Sequence, residues 1–206
     1  GSLEFFVEIK DTMSPILSNC PPSVTIECDQ PLPAIPNVKA TDGCNQQPVV
    51  HFTENTLPGN CPQEKTILRT WTADDLCGNT AQCSQTISVQ DTKAPQIDFK
   101  NPIFTGLSEG DTVKVECGVF NGFGPDDFTI TDNCDPNPVF DMVDIFIVNT
   151  PCYKLLKCIA TVTDACGNAT EFIFYVEVTD TQAPVLANCP ANITIECDQP
   201  VPSAAN

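Results

Sequence analysis

Apolar and polar positions along this chain alternate in short runs and never settle into helical spacing. Val24 to Cys28, Val38 to Asp42, Val49 to Glu54, Lys65 to Ala73 and Ala81 to Gln90 are rich in β-branched or aromatic residues and are separated by Pro, Gly and Asn. That pattern predicts five short strands. No segment sustains a 3.6-residue apolar period, so helices are expected to be rare. Gly78-Asn79 and Gly167-Asn168 suit tight reversals with positive φ before a last strand. In Lys65 to Ala73, Ile67 and Ala73 share a face with Trp71, which makes the indole a core residue before a sugar-stacking platform. Short strands at regular spacing with turn signals point to an all-β fold of β-sandwich type.

The pattern repeats. Asp11-Thr12-Met13-Ser14-Pro15 returns as Asp91-Thr92-Lys93-Ala94-Pro95 after 80 residues, and as Asp180-Thr181-Gln182-Ala183-Pro184 after a further 89. Thr25-Ile26-Glu27-Cys28 returns as Lys114-Val115-Glu116-Cys117 and Thr194-Ile195-Glu196-Cys197. Thr41-Asp42-Gly43-Cys44 is matched by Thr131-Asp132-Asn133-Cys134, and Asp75-Leu76-Cys77-Gly78-Asn79 by Asp164-Ala165-Cys166-Gly167-Asn168. Residues 11–90 and 91–179 therefore read as two tandem repeats. Phe5-Phe6-Val7-Glu8-Ile9-Lys10 matches Phe174-Tyr175-Val176-Glu177-Val178-Thr179, so residues 1–10 read as the last strand of a preceding repeat. Residues 180–206 read as the start of a third, which makes the chain a window on a longer array.

Composition narrows the chemistry. Of 206 residues, 27 are Asp or Glu and 9 are Lys or Arg, a net charge of −18 that excludes nucleic-acid binding by phosphate neutralisation. No run approaches the roughly 18 apolar residues of a spanning helix. Thirteen cysteines place the chain in an oxidising compartment. If strands alternate in direction, Cys20 and Cys83 share one end, Cys28 and Cys61 lie at the opposite end, and Cys44 and Cys77 return to the first. The expected bridges are then Cys20–Cys83, Cys28–Cys61 and Cys44–Cys77. Lys100 and Phe172 replace Cys20 and Cys83 in the second repeat, a joint loss that supports a pair. The correspondence continues with Cys117–Cys152 and Cys134–Cys166. It leaves Cys158 as a buried free thiol, with Cys117–Cys158 as the rival pairing, and leaves Cys189 and Cys197 without partners. Zinc–thiolate sites favour close cysteine pairs, and no Cys-x-x-Cys occurs.

The Asp-Thr-x-x-Pro linkers, Thr-Ile-Glu-Cys-Asp-Gln-Pro, Ala-Thr-Asp-x-Cys, and Arg69-Thr70-Trp71-Thr72-Ala73-Asp74-Asp75-Leu76-Cys77-Gly78-Asn79 followed by Cys83 resemble the hyalin-repeat (HYR) family. The likeness is to its Cys-rich tandem form in giant surface adhesins of gliding Bacteroidetes, of the SprB type. It covers nearly the whole chain; the second repeat departs from it at Ala160 and Phe172, which stand for Trp71 and Cys83. The resemblance implies tandem immunoglobulin-like domains, surface display in gliding motility or attachment, type IX secretion and adhesion.

Carboxylates gather where the repeats should meet. Asp11, Asp42, Asp74 and Asp75 fall at one end of the first repeat, and Asp91, Asp132, Asp135 and Asp164 recur at the same end of the second. Three or more carboxylates at a junction form a hard oxygen site suited to calcium. The alternative is that each Asp organises its own turn through nearby amides. An enzymatic reading has little to build on: His51, the single histidine, sits mid-strand without a nucleophile motif, and carboxylates repeated in each unit are a poor match to one active site. Asn168-Ala169-Thr170 and Asn192-Ile193-Thr194 match a glycosylation sequon, and Asp11-Thr12-Met13 and Asp111-Thr112-Val113 resemble a bacterial O-glycosylation acceptor. The expected function is a structural or adhesive repeat segment of a cell-surface filament whose partners are its neighbouring repeats and a surface glycan or substratum. A glycan- or matrix-binding module, or accessory repeats of a secreted hydrolase, are the alternatives.

Overall fold

In the computed structural model, which describes residues 3–44, 48–120, 122–187 and 192–201, the chain is all-β. The first repeat contains β1 (Ile16–Ser18), β2 (Val24–Glu27), β3 (Lys39–Thr41), β4 (Val49–Pro58), β5 (Lys65–Asp74) and β6 (Thr80–Gln90). The second contains β7 (Gln96–Phe99), β8 (Thr112–Glu116), β9 (Phe128–Thr131), β10 (Val139–Asn149), β11 (Tyr153–Thr163) and β12 (Ala169–Thr179). One 3-10 turn, Pro125–Asp127, precedes β9. Among the described residues no helix is long and apolar enough to cross a membrane.

Both repeats carry the same topology. A two-stranded sheet, β1–β3 or β7–β9, accompanies a four-stranded sheet in the order β2–β6–β5–β4 or β8–β12–β11–β10. All pairings are antiparallel except β2 with β6 and β8 with β12. This parallel contact follows from strict alternation, because β2 and β6 are four reversals apart and run the same way. All five expected strands of the first repeat form. The strand the pattern did not show is β1: three residues are too few to display a period, and β1 is specified by its register with β3, Ile16 against Thr41. Leu3 to Lys10 belongs to no sheet, and Leu3, Phe5, Phe6, Val7 and Ile9 are exposed.

The two cores are filled differently. In the first repeat, Ile67, Trp71 and Ala73 of β5 and Ile87 and Val89 of β6 face inward with Val38, and Val24 and Ile26 pack beside them. Trp71 is 2% exposed and lies 5.2 Å, ring to ring, from Phe52, so it is a core residue and offers no stacking face. Arg69 is buried in the same layer. Its Nε donates to Glu54 Oε2 at 2.8 Å and its Nη1 to the Pro33 carbonyl at 2.8 Å. The Cys20–Cys83 disulfide staples the chain entering β2 to the start of β6, the bridge expected from strand direction.

In the second repeat the position of Arg69 belongs to Cys158, that of Gln85 to Phe174, and that of Cys83 to Phe172. Phe174 is fully buried and packs edge-on against Phe99 and Phe123 with ring separations of 5.3 Å in both cases. Phe104, delivered by the segment between β7 and β8, closes the cluster 4.8 Å from Phe123. Cys158 is a buried free thiol, as one of the two readings had it, and burial followed by a hydrogen bond with Asp144 pushes its ionisation far up.

Candidate metal centre at the junction between repeats

Asp91 follows directly on β6 and begins the linker into the second repeat. Three elements hold it there. Asn168, in the turn between β11 and β12, donates through Nδ2 to the Asp91 carbonyl at 3.1 Å. Glu27, at the end of β2, accepts from the Thr92 hydroxyl at 2.8 Å and from its amide at 3.2 Å. The loop after β9 brings up Asp132, and the Asp164–Asn168 turn brings up Asp164.

Each of these turns is locally determined. Asp132 Oδ1 accepts from the amides of Cys134 and Asp135 at 2.8 and 2.7 Å, and Asp164 Oδ1 accepts from the amides of Cys166 and Asn168, both at 2.8 Å. Asp164 Oδ2 accepts from Asn168 Nδ2 at 2.8 Å. The Asx-turn reading is therefore correct for one oxygen of each residue. The other side of the site is not accounted for by turns. Asp91 is 4% exposed, and its carboxylate meets no side-chain donor, the Lys93 amide being the group that favours its charge; Asp132 Oδ2 is also buried without a partner. Burial, and then the charges of Asp132 and Asp164, push the Asp91 carboxyl above the ordinary carboxylate range.

Ligand atoms of Asp91, Asp132 and Cys134 lie within 4.8 Å of one another, as do those of Asp91, Asp164 and Cys166. Oxygens that share an ion at about 2.4 Å are at most about 4.8 Å apart. Both cysteines are consumed by disulfides, so the available ligands are carboxylates, a hard donor set that suits calcium and not zinc.

The same arrangement appears at the other end of the first repeat, where Asp11, Asp42 and Asp75 converge within 4.8 Å. Asn79 Nδ2 donates to the Asp11 carbonyl at 3.3 Å, as Asn168 does to Asp91, and the half-buried Asp11 carboxylate interacts with the Cys44 thiol. Burial opposes ionisation of Asp75, but hydrogen bonds from the Asn79 side chain and the amides of Cys77, Asn79 and Gly78 outweigh it and hold the carboxyl below its usual range. The charge of Asp11, then burial, then the charge of Asp42 raise the Cys44 thiol; burial and then Asp75 raise Cys77.

Two expected ligands lie outside these clusters. Asp74, the last residue of β5, is turned toward His51, 3.7 Å from its Nε2. Asp135 accepts from the amides of Asn137 and Ala165 at 2.9 and 2.8 Å and is not among the ligand atoms that converge on Asp91.

The disulfides correct the expected pairing. Cys28 is bonded to Cys134, not Cys61, and Cys61 to Cys166, with Cα–Cα distances of 5.8 and 5.0 Å inside the range of about 4.4–6.8 Å that a bridge spans. Strand direction places these cysteines at the observed ends, but the bonds of Cys28 and Cys61 run between repeats, unlike that of Cys20 and Cys83. The end bearing Cys28 and Cys61 abuts the end of the next repeat bearing Cys134 and Cys166, and each thiol meets its partner across the joint. Cys44, Cys77, Cys117, Cys152 and Cys197 are exposed and unbonded, so Cys44–Cys77 and Cys117–Cys152 do not form. Cys189 lies outside the described residues. Tandem order held the missing signal, since a cysteine-bearing tail must face a cysteine-bearing head.

No family model matches the sequence, and no curated protein matches it significantly. Solved structures do. The chain is similar to Drosophila N-cadherin EC1-4 at 12% identity, covering 82% of this chain and 50% of that one, with a TM-score of 0.31. It is similar to human mucin-like protocadherin EC1-2 at 10% identity, covering 81% and 99%, TM-score 0.30. The Ig1-2 module of Drosophila receptor protein tyrosine phosphatase DLAR matches at 10% identity over 81% and 100%, TM-score 0.25. The chain thus spans half the length of the N-cadherin fragment. At these values the likeness reaches no further than an all-β fold. Three disulfides among the described residues fit an extracellular domain, because such bridges persist in oxidising compartments.

Proposed function

We propose that this chain is a structural and adhesive repeat segment of an extracellular surface filament, a rod stiffened at its joints by disulfides and by calcium held between repeats. The observation that supports it best is Asp91, a buried carboxylate at the joint with no side-chain partner, since a buried anion without a counter-charge is costly until a cation or proton neutralises it. Asp91, Asp132 and Asp164 would hold the ion, with carbonyls or water completing six to eight oxygens. The hyalin-repeat resemblance adds gliding or attachment adhesins and type IX export to this reading, with no catalytic step of its own.

The covalent map suits load bearing. From Cys20 the shortest bonded route crosses to Cys83, runs back along the chain to Cys61, crosses to Cys166 and continues to Asp180. It contains about 36 residues where the plain chain has about 160, so a fully unfolded oxidised segment reaches roughly 120 Å against more than 500 Å at about 3.4 Å per residue. Thermal unfolding in EDTA and in millimolar calcium tests the metal. A site with a dissociation constant near 10 μM raises stability by about 2.7 kcal/mol at 1 mM calcium, whereas an unmoved midpoint rejects calcium at the joint.

A further inference from the structure

The two outer ends of the chain reproduce the two faces of its central joint. At the joint the first repeat contributes Cys28 and Cys61, and the second contributes Cys134 and Cys166. By position in the repeat, Cys28 and Cys61 correspond to Cys117 and Cys152, and Cys134 and Cys166 correspond to Cys44 and Cys77. All four counterparts are exposed thiols.

Their surroundings match as well. The Cys28 amide donates to the Gln90 carbonyl at 2.9 Å, and the Cys117 amide to the Thr179 carbonyl at 2.8 Å. Glu27 holds Thr92 just as Glu116 holds Thr181, whose amide and hydroxyl it accepts at 2.8 Å each. At the other end Asn79 ties Asp75 to the Asp11 carbonyl as Asn168 ties Asp164 to that of Asp91. Phe5, Val7 and Ile9 are exposed, yet they stand in the positions of Phe174, Val176 and Val178, which β12 buries in a core.

We propose that Cys44 with Cys77, and Cys117 with Cys152, are complementary halves of one covalent joint, each taking up the opposite half of another repeat of this kind. Cys44 bonds a cysteine of the Cys117 type and Cys77 one of the Cys152 type, so repeats couple head to tail through two disulfides per joint. Each bridge converts two thiols to one disulfide; a disulfide oxidant accepts the two electrons and two protons and leaves as two thiols. This rests on the tandem-repeat reading of the chain and not on calcium.

The test is a longer chain in which residues 11–206 follow directly after Thr179, so that Asp11-Thr12-Met13-Ser14-Pro15 takes the linker position of Asp180-Thr181-Gln182-Ala183-Pro184. After oxidative folding with glutathione disulfide, non-reducing peptide mapping should recover Cys117 linked to Cys44 and Cys152 linked to Cys77, beside Cys28–Cys134 and Cys61–Cys166 from each copy. Cys117→Ser should release one Cys44 to alkylation and leave Cys152–Cys77 intact. The outer Cys44 and Cys77 of the first copy and Cys117 and Cys152 of the second have no opposite half and serve as internal controls, so failure to recover any Cys117–Cys44 or Cys152–Cys77 peptide overturns the proposal, as does absence of Cys28–Cys134. Loss of the calcium response with this peptide map unchanged would sink the metal reading alone.

Discussion

The two repeats share a strand order and a joint chemistry but stabilise their interiors by different means. The first keeps a polar layer, in which Arg69 is held by Glu54, Pro33 and Gln85 and a disulfide joins Cys20 to Cys83. The second replaces the arginine by Cys158, the glutamine by Phe174 and the bridge cysteine by Phe172, and fills the space with a phenylalanine cluster. Glu54 opposite Arg69 becomes Asp144 opposite Cys158 in the strand register. The lesson is that topology and joint residues are held constant while the core is free to vary, provided each core is closed by a cross-link or by aromatic area.

Breaking each solution separately sharpens this contrast. Phe174→Ala should cost the second repeat about 3–5 kcal/mol, through lost apolar contacts and the cavity left among Phe99, Phe104 and Phe123. Denaturant titration should show this loss, with Gln85→Ala at the matching site of the first repeat costing less. Cys20→Ser with Cys83→Ser should cost the first repeat up to about 4 kcal/mol, the loop-entropy value for a bridge of this span, and leave the second repeat's midpoint in place. Equal losses in both repeats would mean that the cores are not independent.

Removing only Glu54 should cost about 1–2 kcal/mol, because it strands a buried guanidinium while the carboxylate itself is partly exposed. Replacing Arg69 and Glu54 together with Met and Leu should recover most of that loss in a double-mutant cycle. If the double variant is as unstable as Glu54→Ala, the polar layer is positively stabilising and its absence from the second repeat needs another account.

The smallest expected effect concerns what the repeats share. In EDTA, Asp91→Asn should raise the midpoint by about 2–4 °C, since it removes a buried charge with no counter-charge beside it, and it should shrink the rise on adding calcium to whatever the Asp11, Asp42 and Asp75 cluster contributes. The sign of the pH dependence follows. With its carboxyl raised above the ordinary range, folded Asp91 takes up a proton before the unfolded chain does, so stability in chelator should increase as pH falls from 7 toward 5. Asp75 and Glu27 are shifted the other way, Glu27 mainly by its Thr92 and Gln90 hydrogen bonds. Their contributions are present above the ordinary carboxylate range and fade only below it. Differential scanning calorimetry of wild type and Asp91→Asn across that range separates the two windows.

Much of this was legible in the residues because it is local. Alternation in Lys65 to Ala73 fixes β5 and buries Trp71, and an Asp two residues before a Cys amide makes its own turn wherever it occurs. The joint loss of Cys20 and Cys83 identified their bond, since a pair leaves a correlated trace. Asp74 and Asp135 lie outside the converging groups, because sequence proximity to a cluster does not say where a carboxylate points.

The sequence alone therefore determined five of the six strands of the first repeat, the recurrence of the pattern, and the end of the sandwich at which each bridged cysteine lies. Only the tertiary structure decided that Cys28 and Cys61 reach across to Cys134 and Cys166 and not to each other. Strand direction sorts residues to ends, but bonding is settled by which ends meet, a fact of packing that periodicity within one repeat cannot encode.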